Sequence, residues 1–353
     1  ITVPNEFQKV GKYNIGVTAG IETTLCDPSW IQGCNNMDLV LVSSEHAKKV
    51  FQESKFNMQD SRTGQVTGEV VLTTKVEVLF EGVDIEKYTP LAFPTKLKFD
   101  EIDEMFCFLA VGHWLPGALG EDRKNMGYTI KSFLETFKNK PKGKRPALLL
   151  KVQAGSGTSI MDREELLNRI DAIRKTVKGD LPNIYLLHGE MSDAEMNELY
   201  NHGKVKAMIS LTKGEGFGRP LLEFSLVNKP IIASAWSGHT DFLDKEFVKY
   251  VGGNLTNVHP SAAVDKMILA ESQWFSADPI QVGQALKDVY TNYIKYKDLG
   301  KRQGHKSRTQ FSYEKMRETL DSLLTQYVPE FPKQVQLKLP QLKKIELPKL
   351  KKV

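Results

Sequence analysis

The chain has 353 residues, 41% of them hydrophobic and 26% charged, with a net charge of +5. That length accommodates two domains with real cores, and no apolar run reaches the ~20 residues a membrane span requires. Seven lysines and one glutamate fall between Lys333 and Val353, leaving −1 for the rest, so the body lacks the basic face that a nucleic-acid partner needs. Cys26, Cys34 and Cys107 show no CxxC or metal-type spacing, and their odd number argues against a disulfide framework. A cytoplasmic compartment is the default. The chain opens on Ile1 without a methionine, which leaves a targeting segment upstream open.

Taken in order, Tyr13 to Thr18 and Asp38 to Ser43 read as strands, and Glu45 to Ser54 as a short helix carrying Ala47, Val50 and Phe51. Val76 to Phe80 is a further strand, and the polar stretch Asn57 to Thr74 reads as a surface excursion or hairpin. In the VTAGIETT loop after the first strand, Thr18, Glu22 and Thr23 are candidates for an active site, since ligands bind at the carboxyl ends of such strands. A plain polar loop is the better explanation of them. His46 is a weaker candidate, because Ser43 and Ser44 before it suit helix capping and exposure accounts for the histidine. Tyr88 to Asp103 holds two prolines and no period, and reads as a linker.

Beyond it the alternation is regular. Strands are expected at Met105 to Val111, Ala147 to Val152 and Ile184 to Leu187, with a helix over Met126 to Phe137. Asp162 with Glu165 gives a capping-box start for a helix closed by Gly179, and Ser192 with Glu195 starts another closed by Gly203. Asp278 and Pro279 begin a helix running toward Gly300, and a last helix covers Tyr313 to Tyr327. Strict βαβα order implies a parallel, doubly wound sheet. The divisions are thus 1–95, a partial Rossmann-like α/β domain; 96–300, a second Rossmann-like domain; 301–330, a terminal helix; and 331–353, a basic tail.

The stretch from Gly203 to Asp241 organises the rest. Val205 to Leu211 leads as a strand into the turn Gly214 to Gly218, a short helix in which Pro220 suits the first position, and a strand from Pro230 to Ala233. Free amides at such a helix start favour an anion. Glu215 and Glu223 bracket the turn, and carboxylates accept hydrogen bonds from hydroxyls. A ligand with both features is a sugar joined to a nucleoside diphosphate. A Rossmann-like turn with ordinary solvated acids fits the same residues.

The run EGFGRPLLE, followed by a helix and KPIIAS, resembles the donor-site signature of retaining GT-B glycosyltransferases, above all glycosyltransferase family 4. The resemblance implies two Rossmann-like domains with a cleft between them. It also implies that Glu223 binds the donor ribose, that Glu215 lies beside the donor sugar, and that the backbone of Gly216, Phe217 and Gly218 meets sugar hydroxyls and phosphate. The family presents an arginine after a strand-ending glycine and a lysine further on to clamp the diphosphate. Here His113 follows Gly112, while Arg123 and Lys124 stand where the lysine is expected. A growing leaving-group charge calls for such cations, though Arg123 and Lys124 also suit pairing with Glu121 and Asp122 on a solvated loop. No DxD string is present, in keeping with metal-independent transfer and no cofactor beyond the donor. The resemblance puts backbone contacts to the base near His188 and Gly189, and sends the terminal helices back to the amino-terminal domain. A complete GT-B amino-terminal domain starts with a strand, a Gly-rich loop and a helix, which nothing before Tyr13 supplies, so that domain reads as incomplete. Glu215 and Glu22 are the candidate catalytic carboxylates.

The expected reaction is hexosyl transfer to a hydroxyl of a glycan, lipid or protein, with retention. An epimerase or phosphorylase on the same fold, and a non-catalytic sugar-nucleotide or glycan-binding module, are the rivals. Gly155, Ser156 and Gly157 lack the lysine of a phosphate loop and read as a turn. In the tail, LPQLKKI at Leu339 is echoed by LPKLKKV at Leu347, giving an extended basic segment for solvent, for the anionic face of a membrane to which the protein would be peripheral, or for a partner's sheet edge.

Overall fold

The computed structural model describes residues 2–60, 62–92, 95–155 and 159–331. Ser156 and Gly157 of the expected turn, and the tail beyond Phe331, lie outside them. The amino-terminal unit runs β1 (Ile15–Thr18), α1 (Pro28–Asn35), β2 (Leu39–Val42), α2 (Glu45–Glu53), the antiparallel pair β3 (Phe56–Gln59) and β4 (Val66–Val70), and β5 (Lys75–Val78). β1, β2 and β5 form a parallel sheet in that order. α1 is a helix that sequence reasoning missed. PSWIQGCN has a weak helical composition, yet the start signal was there: the Asp27 carboxylate accepts from the Ser29 amide at 2.8 Å, and Pro28 takes the first position. A methyl at Gly33 would fall 1.8 Å from the Pro4 carbonyl oxygen, so glycine is what lets α1 meet the amino-terminal turn.

The second unit runs β6 (Cys107–His113), α3 (Met126–Phe137), β7 (Ala147–Gln153), α4 (Ile160–Lys175), β8 (Ile184–Leu186), α5 (Asp193–Asn201), β9 (Val205–Ser210), α6 (Arg219–Ser225) and β10 (Ile231–Ser234). β11 (Lys249–Val251) and the hairpin β12 (Gly253–Asn257) and β13 (Gln273–Ala277) follow, then α7 (Pro279–Thr291), α8 (Tyr293–Gln310) and α9 (Tyr313–Tyr327). The six-stranded sheet has the order β11-β10-β9-β6-β7-β8, parallel throughout. Both faces are covered, as the two-residue side-chain period of a strand requires. Phe108 and Ala110 of β6 join the core under α3, α4 and α7, while Cys107 and Leu109 join the core under α5 and α6. Phe133 of α3 is fully buried, its ring 6.2 Å from that of Phe108 and 5.2 Å from that of Phe137. Phe133→Ala is expected to cost about 3–5 kcal/mol, since the cavity adds to the lost transfer energy. Urea unfolding checks this as a lower midpoint at unchanged slope.

Helix starts follow local chemistry with one correction. The capping box at Ser192 and Glu195 forms as expected, and Asp278 caps α7 by accepting from Ile280 and Gln281 at 2.9 Å. α4, however, is capped by Ser159, whose hydroxyl accepts from the Asp162 amide at 3.1 Å. Asp162 instead receives His188 Nε2 at 2.7 Å and the Gly155 amide at 3.2 Å. Pro220 occupies the second position of α6, behind Arg219.

The stretch after β5 is less free than a bare linker. Tyr88 donates its hydroxyl to Asp193, and the amides of Thr89, Leu91 and Lys96 donate to side chains of Asn197, Asn201 and Glu198, stapling the segment along α5. α8 begins at the Asn292 break and continues past Gly300, packing on α6. α9 returns to the first sheet: Met316, Leu320, Leu323 and Tyr327 pack on Leu39, Leu41 and Leu79, and the Tyr327 hydroxyl donates to Glu77 at 2.6 Å. No helix among the described residues is long and apolar enough to cross a membrane.

Candidate functional site

In the six-stranded sheet β6 and β9 are neighbours, but the chain leaves β6 toward β7 on one side and β9 toward β10 on the other. The loops at the carboxyl ends of these two strands flank the topological switch point, where doubly wound sheets bind ligands. One loop begins after His113 at the end of β6 and carries Arg123 and Lys124, and the other carries Gly214 to Gly218. They are strapped together. The Lys213 amide donates to the Arg123 carbonyl at 2.9 Å, and Asn125, in the left-handed region at φ 56°, donates its side-chain amide to the Leu211 carbonyl at 3.0 Å.

Lys124 Nζ lies 2.5 and 2.7 Å from the two carboxylate oxygens of Glu215. Both side chains are nearly buried, at 14% and 10% exposed. Burial alone would raise the Glu215 carboxyl, but the Lys124 ammonium and then the Arg123 guanidinium outweigh it and hold the group below the ordinary carboxylate range. Arg123 Nη1 is 2.6 Å from Glu22 Oε1 of the amino-terminal unit. Neither cation therefore takes the Glu121 or Asp122 partner that the sequence allowed. Asp122 accepts from the Met126 amide at 3.1 Å at the start of α3, and Glu121 lies 3.9 Å from Lys213 Nζ.

The turn is fixed by its surroundings. The Glu215 amide donates to Ser237 Oγ at 2.9 Å, and the Glu215 carbonyl accepts from the Gly238 amide at 3.0 Å. Gly218 has φ 100°, a left-handed conformation that favours glycine. The amides of Gly216, Phe217 and Gly218 have no acceptor among the described residues, whereas the Phe217 side chain is buried against Phe242, with ring centroids 5.0 Å apart. Phe217 thus offers backbone only. Glu223, one turn into α6, is 8% exposed. Burial pushes its carboxyl up to about 7, opposed by Arg219, whose Nη2 is 3.3 Å away. The Tyr200 hydroxyl is 3.5 Å from the other carboxylate oxygen. The Arg219 partner was readable in the sequence as a residue four before Glu223 on a helix.

The remaining expectations divide. His113 is exposed at the end of β6, with Nε2 3.2 Å from Gln153, and its pKa is lowered by partial burial and then by Lys124 and Arg123. Thr18 and Thr23 are buried and serve their own loop, accepting from the Gly20 amide and donating to the Leu25 carbonyl. His46 departs from the expectation of exposure: its Nε2 is buried without a partner among the described residues, and its ring meets Trp236 edge-on at 4.6 Å. Its pKa falls to about 4 through burial. His188 is held by Asp162 through its ring Nε2 at 2.7 Å. Sequence reasoning missed His239, fully buried with Nε2 2.7 Å from the Ser234 carbonyl; Nε2 therefore carries the proton and Nδ1 is left unpartnered among the described residues. It also missed Ser43 and Ser44, whose hydroxyls donate to the Gly216 carbonyl at 3.1 and 2.6 Å. No local pattern marks a contact across 173 residues of chain. Among the described residues no group of three His, Cys, Asp or Glu side chains is placed to hold a metal ion.

Two Rossmann-like units meeting at the carboxyl ends of their parallel strands, with the last helix returning to the first unit, define the GT-B glycosyltransferase fold. Solved structures agree. Sucrose-phosphate synthase from Thermosynechococcus elongatus is 14% identical, with a TM-score of 0.52 over 84% of this chain and 60% of that one. A trehalose-6-phosphate structure from E. coli bound with UDP-2-fluoro glucose is 14% identical, with a TM-score of 0.57 over 86% of this chain and 64% of that one. Anabaena HepE in complex with UDP and glucose is 14% identical, with a TM-score of 0.56 over 88% and 71%. The chain thus spans less than two thirds of the length of the first two. No family model and no curated protein matches the sequence.

Proposed function

We propose that this chain is a retaining glycosyltransferase, moving a hexosyl group from a nucleoside diphosphate sugar to an acceptor hydroxyl without a metal. The observation that carries the reading is the convergence of Arg123, Lys124 and the Glu215 to Gly218 turn on the switch point of the second sheet. Glu223 would accept from the ribose hydroxyls. Glu215 and the unpaired amides of Gly216 to Gly218 would orient the donor sugar and its phosphates. Arg123 and Lys124 would neutralise the diphosphate as the bond from the anomeric carbon to its oxygen breaks, with His113 beside them. The acceptor oxygen bonds to that carbon on the same face, and its proton passes to the departing phosphate oxygen. The UDP and UDP-sugar complexes of two fold neighbours support this class of donor. The acceptor is a glycan, lipid or protein hydroxyl in the cytoplasm, and the basic tail is a means of reaching an anionic membrane face or a partner.

A panel of UDP-, GDP- and ADP-sugars tests the reading through thermal stabilisation and slow donor hydrolysis. One donor is expected to raise the melting temperature by mass action and to be hydrolysed to the sugar with its anomeric configuration kept, as followed by NMR. Stabilisation without hydrolysis would favour a binding module. Conversion of the sugar without an acceptor would favour an epimerase, and turnover dependent on inorganic phosphate a phosphorylase. No stabilisation by any member of the panel would overturn the donor site.

A further inference from the structure

The turn that would receive the donor sugar is covered. A methyl placed on Gly214 would fall 1.9 Å from the Glu22 carbonyl oxygen, and one on Gly216 would fall 2.7 Å from the Ala19 carbonyl oxygen. The loop after β1 therefore lies directly on the turn, with no space for a hexose ring between them. Ser43 and Ser44 occupy the Gly216 carbonyl. Around this contact the seam is closed at three further points. The Glu45 amide donates to Asp241 at 2.8 Å, the Thr24 amide donates to the Gln273 carbonyl at 2.9 Å, and the Gln273 amide returns a bond to Thr24 Oγ1 at 2.9 Å.

The charges follow the same pattern. Each of the two cations assigned to the diphosphate already has a carboxylate, Lys124 from its own unit and Arg123 from Glu22 across the seam. A nucleoside diphosphate brings its own negative charge to both cations, and backbone carbonyls of the Ala19 to Glu22 loop stand where its sugar must go. Of the two ion pairs only that of Arg123 has to break for the loop to lift, because Lys124 and Glu215 move together; the hydrogen bonds of the seam open with it.

We propose that the Ala19 to Glu22 loop is an autoinhibitory plug: the Glu22 carboxylate holds Arg123 in place of the donor diphosphate while the loop backbone fills the donor-sugar space. The proposal rests on the donor-site reading above and reassigns Glu22 from catalysis to competition with the donor. Opening is then an equilibrium of the free protein. Apparent donor affinity is the intrinsic affinity reduced by the fraction of molecules that are open.

Two variants separate charge from shape. Glu22→Gln keeps the side-chain volume and removes the anion. Gly214→Ala places a methyl against the Glu22 carbonyl at a residue whose backbone φ does not demand glycine, and so pushes the loop out sterically. Spin labels at the exposed positions Gln52 and Glu246 report the separation of the two units in the full chain without ligand. UDP, GDP, ADP and inorganic diphosphate serve as binding probes by calorimetry. Both variants are expected to broaden the distance distribution toward longer values. Glu22→Gln is expected to tighten the binding of the preferred nucleoside diphosphate on the order of tenfold, the factor by which the open fraction rises. Unchanged distances in both variants would overturn the plug. Weaker or unchanged nucleotide binding by Glu22→Gln, with the wild type binding normally, would equally overturn it and make Glu22 part of the donor site. If distances lengthen but no probe binds any of the three proteins, the donor reading fails, the competition with it, and a lock between the units is what remains.

Discussion

Glu223→Gln is expected to abolish the pH dependence of nucleotide binding, and Glu223→Ala to abolish the binding itself. The Glu223 carboxyl is pushed up to about 7 by burial, so near neutrality it is shared between a protonated form and an ionised one. The ionised form accepts charge-assisted hydrogen bonds on both oxygens, whereas the protonated form carries a donor on one of them. Affinity for the preferred nucleoside diphosphate should therefore rise by about tenfold per pH unit below pH ~7 and level off above it, as one-proton linkage requires. Glu223→Gln, uncharged at every pH, should give a flat and weaker profile. Stability moves the opposite way. A folded-state pKa above that of the unfolded chain contributes stability that is complete below the ordinary carboxyl range and is lost as pH rises through 7. Thermal unfolding from pH 5 to 8 should accordingly show a decline in the wild type that Glu223→Gln lacks. At saturating nucleotide, about a hundred times its Kd, the wild type gains ~2.7 kcal/mol and Glu223→Ala none. A wild-type affinity that does not change between pH 6 and 8 would remove Glu223 from the ribose.

Lys124→Ala is expected to be the most destabilising substitution at the site. It strands Glu215, which is 8% exposed, without its close cation, and breaking one side of a buried pair costs about 3–5 kcal/mol. Burial would then dominate at Glu215 and raise its pKa where Lys124 now lowers it. The sign of the pH effect reverses with it. In the wild type the lowered carboxyl contributes stability above its unfolded pKa that is lost as pH falls, whereas in Lys124→Ala stability should fall as pH rises. The double variant Lys124→Ala with Glu215→Gln removes the stranded charge and should recover much of the loss, giving a coupling energy by double-mutant cycle. Turnover should not recover. With Lys124 in its proposed role at the leaving diphosphate, its loss costs on the order of a hundredfold or more in kcat, and the double variant should stay slow although it is folded. Activity restored together with stability would assign Lys124 a purely structural role.

What the residues declare locally and what they hide can be separated at particular positions. The strands β6 to β10 of the second unit were legible because their runs are largely apolar, as two-sided burial demands, whereas the shorter or more polar β11, β12 and β13 were not read from the sequence. Ser192 with Glu195, and Asp278 with Pro279, announced their helices through bonds that close within three residues. α1 was lost because its composition argues against a helix and only the cap argues for it. At Asp162 a capping pattern was present, but Ser159, three residues earlier, took the cap and freed the carboxylate for His188.

The sequence by itself determined the alternation of strands and helices, and with it the parallel sheet, and the turn with two carboxylates that have seven residues between them. Each of these is a matter of neighbours within one or two turns of chain. Only the tertiary structure decided the partners of the charges. Arg123 and Lys124 are adjacent in sequence and equally suited to Glu121 and Asp122, yet one reaches Glu22 and the other Glu215. Ion pairing between separate loops has no periodicity, unlike the Arg219 and Glu223 pair within one helix. It depends on which loops the sheet order brings to the switch point and on how the two units close across it, and that closure set Ser44 against Gly216, buried His46 and laid Glu22 on Gly214.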